Sequence, residues 1–257
     1  MLLRWFEHSQ VYHPRRNLDA SGAELMRPYD DVHFPTADGM ELNGWFYPAD
    51  AGSQRGGLVF LVCHGNAGNI SHRLGLFQAL LRTGPAVFGF DYRGYGRSGG
   101  RAGEEGTYLD AQAAHAWLRR KGFAARNILA YGESLGGGVG SELCLREPTG
   151  GLILQSTFTR MPDIGAELFP WLPVRRWATI HYNTVDKLPR VKVPVLILHS
   201  RADDLVGFQH AERNYAARAP KFLRELEGGH NDPAWESKGF QAALEEFLGA
   251  VEGKAQS

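Results

Sequence analysis

Ser134 stands in the pentapeptide Gly132-Glu133-Ser134-Leu135-Gly136, between the apolar run Ile128-Leu129-Ala130-Tyr131 and Gly137-Gly138-Val139, which reads as the opening of a helix. G-x-S-x-G at a strand-to-helix junction is the local pattern of a nucleophile elbow. The backbone turns so sharply there that neighbouring positions have no room for a Cβ, which accounts for the glycines. The serine is held out on a strained turn at the positive end of the following helix. The chemistry on offer is covalent catalysis by an activated hydroxyl.

A serine hydroxyl needs a base within hydrogen-bond reach, and the base needs an orienting acid. Where an elbow of this kind presents the nucleophile, the acid and then the histidine follow it along the chain. Of ten histidines, His230 follows both the elbow and a suitable acid and lies in the turn after a late strand. Gly228-Gly229 lets that turn fold back, and Asp232-Pro233 reads as an N-cap followed by proline at the first helical position. His199 ends an apolar run and is expected to be structural. His115, His181 and His210 fall on expected helices, where a polar surface role is the default. Asp203 and Asp204 both follow the strand Leu196-Ile197-Leu198-His199-Ser200, and spacing does not choose between them. Glu133 is expected to make a structural hydrogen bond. The oxyanion formed by attack needs two backbone N–H donors. Leu135, directly after the nucleophile, supplies one; Asn66, in the loop His64-Gly65-Asn66-Ala67-Gly68-Asn69 after an early buried strand, supplies the other. His64 is expected to brace that loop.

The elements that must position these residues follow from periodicity. Asp31 to Thr36 and Met40 to Tyr47 read as a hairpin across Ala37-Asp38-Gly39. Uniformly apolar runs at Leu58–Cys63, Ala86–Tyr92, Ile128–Tyr131, Gly151–Gln155 and Val195–Ser200 read as strands buried on both faces, and Phe222–Glu227 as a last strand. Helices are expected at about Ile70–Leu81, Tyr108–Lys121, from the elbow to about Arg146, Phe208–Ala217 and Lys238–Phe247. Alternating strands and helices imply right-handed crossovers and a mostly parallel sheet with helices on both faces, an α/β fold with the hairpin at one edge. Residues 1–257 read as one domain with a cap-like insertion around 157–190. Proline density there forbids one long helix. Its aromatics Phe158, Phe169, Trp171 and Trp177 either pack into the core or shape an apolar substrate pocket above Ser134.

Composition narrows the classes. Lys+Arg and Asp+Glu both number 28, so no basic surplus points to nucleic acid. Cys63 and Cys144, both in apolar stretches, read as buried thiols rather than a disulfide. The opening Met1–His8 lacks a signal peptide's apolar stretch and no segment reaches the ~20 apolar residues of a membrane span, so the expected location is cytoplasmic. The tail from Gly253 is polar and expected to fray. No H-E-x-x-H, paired cysteines or P-loop lysine occurs, and neither a metal nor a cofactor is expected.

Together, His64–Asn69, Asp91-Tyr92-Arg93-Gly94-Tyr95-Gly96-Arg97-Ser98, Gly132–Gly137 and Gly228-Gly229-His230-Asn231-Asp232 resemble the α/β-hydrolase superfamily. The similarity runs from about Val11 to Phe247. More closely, the motifs resemble the branch of small esterase-like proteins that includes the ABHD-type depalmitoylases and their bacterial relatives. The resemblance implies that Asp203 is the acid, because His199–Val206 is similar to the family's His-Gly-x-x-Asp-x-x-Val-Pro; Ser200 and Gly207 depart from that pattern. It also implies that Asp91–Gly96 is a structural turn bordering the site, and it supports Asn66 and Leu135 as oxyanion donors. Many such relatives carry a membrane-anchoring or cysteine-rich segment ahead of the equivalent of Ser9–Pro14. The expected activity is a serine hydrolase acting on small-molecule carboxylic esters with small or medium acyl chains through an acyl-enzyme. A thioesterase and an amidase or aminopeptidase-like hydrolase share the triad and stay open. A non-catalytic ligand-binding protein is the alternative from another class.

Overall fold

The apolar runs become the strands of one eight-stranded sheet in a computed structural model that describes residues 2–217 and 222–255. In chain order these are β1 (Asp30–Pro35), β2 (Glu41–Tyr47), β3 (Val59–Cys63), β4 (Ala86–Phe90), β5 (Ile128–Glu133), β6 (Gly151–Gln155), β7 (Val195–Ser200) and β8 (Phe222–Leu226). Across the sheet they lie in the order β8-β7-β6-β5-β3-β4-β2-β1. β2 runs antiparallel to both β1 and β4, and the remaining pairs are parallel. The helices are α1 (Leu2–Val11), α2 (Leu74–Leu81), α3 (Glu104–Arg120), α4 (Leu135–Arg146), α5 (Met161–Leu168), α6 (Val174–Trp177), α7 (Gln209–Ala216) and α8 (Lys238–Ala255).

Burial on both faces explains why the central strands read as continuous apolar runs. In β3, Val59, Leu61 and Cys63 join one core layer while Phe60 and Val62 join the other. The first layer takes α3 and α4 through Ala111, Ala114, Leu118, Val139 and Leu143. The second takes α2 and α8 through Leu76, Phe77, Phe240, Leu244, Phe247 and Val251. The spacing of that α8 set at three and four residues is the signature of one buried helical face.

Several boundaries differ from the periodicity, each for a local reason. α3 begins four residues before Tyr108, with Glu104 and Glu105 in its first turn where the helix dipole favours acids. The stretch before Leu74 is a 3₁₀ turn, Ile70–Arg73, capped by the Asn69 side chain. α8 continues past Phe247 because Leu248 and Val251 extend its buried face. The expected polar tail is helical to Ala255, and Gln256 and Ser257 lie outside the described residues. α1 was not foreseen. No disulfide joins Cys63 and Cys144; the first is buried and the second half-buried.

The expected turn after β4 is built around charge. Gly94 and Gly96 hold φ of +89° and +45°. Between them and the strand, the backbone N–H and Nε of Arg93 both donate to Asp110 of α3 at 2.8 Å. Its other two nitrogens grip Asp38 at 2.7 and 3.0 Å. The Asp110 side chain is fully buried, whereas that of Asp38 is 40% exposed. Removing the guanidinium strands Asp110 in the core, so Arg93→Met should cost about 3–5 kcal/mol of stability. Asp38→Asn should cost at most about 1 kcal/mol. Urea unfolding of both variants measures the contrast, and equal small losses would show that the cluster does not hold this turn.

Candidate active site

In an open α/β sheet the crevice forms where successive connections leave a strand pair in opposite directions, at the carboxyl ends of the strands. Here β3 leads outward to β4, and β5 leads the other way to β6, β7 and β8. The elbow follows β5 and the Asn66 loop follows β3, so the sheet order itself sets them side by side.

Ser134 has φ 50° and ψ −114°, outside the regions an L-residue prefers. The turn closes too tightly for side chains at its flanks. A Cβ on Gly132 would lie 2.4 Å from the carbonyl oxygen of Gly136, and one on Gly136 would lie 1.9 Å from that of Cys63. The Ser134 N–H donates to the Gln155 carbonyl at 2.8 Å, which pins the elbow to the end of β6. Its Oγ lies 3.2 Å from His230 Nε2.

His230 reaches the serine from the loop between β8 and α8. Gly228 turns that loop with φ +89°, and the Asp232 carboxylate accepts the Gly229 N–H at 3.0 Å. Asp232 therefore closes this loop on itself instead of capping a helix, since α8 starts only at Lys238. On the far side of the ring, Nδ1 lies 2.8 Å from Asp203 Oδ2 and 3.0 Å from Oδ1. The carboxylate is an acceptor only, so Nδ1 carries the proton and Nε2 is left to accept from the serine hydroxyl. Asp204 is exposed, and the structure brings Asp203 alone of the pair to the histidine.

Burial raises the Asp203 pKa, but the hydrogen bonds from His230 and the Val206 N–H outweigh it. With the nearby imidazoles of His230 and His199, they hold the carboxyl below its ordinary value. The Leu205 and Val206 N–H groups donate to Oδ1 at 3.1 and 2.7 Å. His199 fixes the same loop: its Nε2 bonds the Val206 carbonyl at 2.6 Å, and burial lowers its pKa, keeping it neutral. His115 and His210 are buried, contrary to the surface expectation. The first bonds the Pro148 carbonyl, and the second bridges Thr159 and Glu167. His181 is exposed and lies outside any helix.

The Asn66 loop is fixed from several sides. Its carbonyl accepts from the His13 N–H at 3.0 Å and the Tyr95 hydroxyl at 2.7 Å. The Asn66 side chain donates to the Val11 carbonyl at 2.9 Å. The peptide that carries the Asn66 N–H is the one whose carbonyl belongs to Gly65, and His64 Nδ1 bonds that oxygen at 2.7 Å. His64 Nε2 lies 3.4 Å from buried Asp91, and Tyr92 donates to the His64 carbonyl at 3.0 Å. Leu135 is the first residue of α4, so its N–H has no partner within the helix. Glu133 pairs with Arg73 at 2.6 Å, beside Gly65 of the Asn66 loop.

Gln155 gave no signal in the sequence. Besides holding the Ser134 N–H, its side-chain oxygen accepts from Tyr131 and, at 2.9 Å, from Trp235 in the histidine-bearing loop. The four cap aromatics do not form one wall above Ser134. Phe158 is buried in the core, and Trp171 is 72% exposed with its edge against Phe169. Phe169 and Trp177 line an apolar cavity of about 140 Å³ whose opposite wall is α1. Among the described residues, no group of three or more His, Cys, Asp or Glu side chains is placed to hold a metal ion. Among them also, no helix is long and apolar enough to cross a membrane.

Residues 59–178 match the alpha/beta hydrolase fold family. A protein of Mycobacterium tuberculosis strain H37Rv is 40% identical over 226 residues, which span 87% of this chain and 80% of that one. The alpha/beta hydrolase domain-containing protein WAV2 of Arabidopsis thaliana is 32% identical over 271 residues, with 93% and 85% covered. An esterase of Pyrococcus furiosus superposes with a TM-score of 0.72 over 95% of this chain and 98% of its own, at 22% identity. Est1E of Butyrivibrio proteoclasticus, solved with ferulic acid, gives 0.71 over 86% and 99%, at 20% identity. Identity at that level speaks for the fold, and the fuller matches above it speak for descent: the chain belongs to the alpha/beta-hydrolase family.

Proposed function

We propose that the chain is a serine hydrolase that cleaves carboxylic esters of small or medium acyl chains, with Ser134, His230 and Asp203 as its catalytic triad. The observation that carries this reading is one imidazole with Nε2 at 3.2 Å from the Ser134 hydroxyl and Nδ1 at 2.8 Å from a buried carboxylate. Ser134 Oγ attacks the ester carbonyl as His230 Nε2 takes its proton. Asp203 holds the ring in the reactive tautomer and stabilises the imidazolium. The N–H groups of Asn66 and Leu135 receive the oxyanion, and the positive end of α4 adds to the same field. His230 then protonates the departing alcohol, and water releases the acid from the acyl-serine through the same base. Solved structures of the same fold include esterases, which makes esters the first substrates to test, with a thioester or amide as the alternatives.

Hydrolysis of p-nitrophenyl esters from acetate to laurate tests the proposal, with Ser134→Ala expected to abolish turnover. Asp203→Asn should lower kcat by about 10⁴-fold, because the ring loses its orientation and tautomer. Asp204→Asn should retain most activity, and the reverse ranking would remove Asp203 from the triad. Asp203 is held below the ordinary carboxylate value, so the orienting bond to His230 Nδ1 keeps its ionised acceptor at any pH above that value.

A further inference from the structure

His230 sits in a loop that closes on itself, so its position depends on how that loop is fastened to the sheet. The neck closes where the Ala234 N–H donates to the Glu227 carbonyl at 3.0 Å, and inside it the Gly229 N–H meets the Asp232 carboxylate. Trp235 is the next residue beyond the neck. Its indole N–H donates to Gln155 Oε1 at 2.9 Å, and its ring packs against α2, where a Cβ on Gly75 would lie 3.3 Å from it. The neighbouring tie, Arg82 to Glu236 at 3.3 Å, is solvent-exposed and holds little. The same Gln155 holds the nucleophile. Its backbone carbonyl accepts the Ser134 N–H at 2.8 Å, and its side-chain oxygen also accepts from Tyr131 of the strand that carries the elbow. Gln155 is fully buried, and its Nε2 has no partner among the described residues. A buried amide with an unpaired N–H group costs more than an apolar side chain of that size. What the amide contributes is one oxygen shared by two donors, one from the serine strand and one from the histidine loop.

We propose that Trp235 is a positioning residue for His230, acting through Gln155 as the common reference for nucleophile and base. The inference rests on Ser134 and His230 having those two roles. The 3.2 Å between Ser134 Oγ and His230 Nε2 joins segments 96 residues apart. The strand that delivers the histidine loop, β8, pairs with β7, whereas the strand that delivers the elbow lies between β3 and β6. The indole bond crosses directly from the loop to the end of β6, so serine and imidazole are both placed from one side chain. Asp203 sets the rotation of the imidazole, and Trp235 sets the place of the backbone that carries it. Loss of the indole N–H leaves the ring packed on α2 but frees the neck of the loop to shift along the strand ends. A displacement of about 1 Å at the reacting groups costs on the order of 10²-fold in rate. Side chains that lock a reacting group from behind are what keep such a displacement from occurring.

The test reads p-nitrophenyl acetate kinetics together with the downfield proton resonance of the His230 Nδ1–H held by Asp203. Trp235→Phe keeps a ring against Gly75 and removes the donor. Benzothienylalanine at position 235 has the outline of the indole without its N–H, so it removes the donor alone. Arg82→Ala breaks the exposed pair beside Trp235 and serves as the control. In both position-235 variants kcat should fall by at least about tenfold with KM within about twofold, and the resonance should broaden or vanish. Arg82→Ala should stay within about twofold in kcat and KM and keep the resonance. A packing role for Trp235 would move the unfolding midpoint of Trp235→Phe, yet leave kcat and the resonance untouched by the benzothienyl side chain. A benzothienyl protein with kcat within about twofold and the resonance intact would therefore overturn the proposal, as would an equal fall in kcat with Arg82→Ala. If the unsubstituted protein turns over no ester, the resonance decides alone. Its loss in both position-235 variants would uphold the positioning role while the hydrolase reading fails, and its persistence would overturn the role.

Discussion

The strained backbone of Ser134 is the constraint from which the rest of the site follows. A residue at φ 50° and ψ −114° costs on the order of 1–3 kcal/mol, and it persists only where its surroundings over-determine it. Those surroundings are the parallel pairing of β5 between β3 and β6, the bond from its N–H to Gln155, and glycines that let α4 pack against Cys63. In return, the hydroxyl sits at the first turn of a helix and clear of the sheet.

The loops around that turn are held by buried polar groups rather than by apolar packing. His64, Asp91, Tyr92 and Tyr95 brace the Asn66 loop, and His199 and two backbone N–H groups brace Asp203. Preorganisation of this kind fixes the direction of donors before any charge develops, which is where electrostatic catalysis obtains its advantage. It also explains why so many polar side chains are found in the interior at this end of the sheet, where an apolar core would be cheaper to bury.

Much of this was legible in the chain. Strands buried on both faces announce themselves as unbroken apolar runs, and the elbow glycines are required by a turn that leaves no room for Cβ. The ambiguity between Asp203 and Asp204 was different in kind. Adjacent residues after a strand end share every sequence signal, and only the path of the loop decides which carboxylate meets the imidazole. The Gln155 side chain accepts from Trp235, 80 residues away, and Glu7 of α1 accepts from the Thr179 and Ile180 N–H groups, more than 170 residues away; periodicity carries no trace of such contacts. The cap aromatics misled because a proline-rich stretch sets no fixed face. Phe158 and Trp171 come from one run, yet one lies in the core and the other in solvent. The polar tail misled because helix continuation depended on Val251 finding the core.

The order in which the proposed triad is encoded has a consequence for assembly. Ser134 is set by β3, β5 and β6, all complete by Gln155, whereas His230 follows β8. β8 lies at the edge of the sheet and pairs with β7 alone. On the proposed reading, fraying of that one edge would withdraw the imidazole while leaving the contacts of the elbow in place.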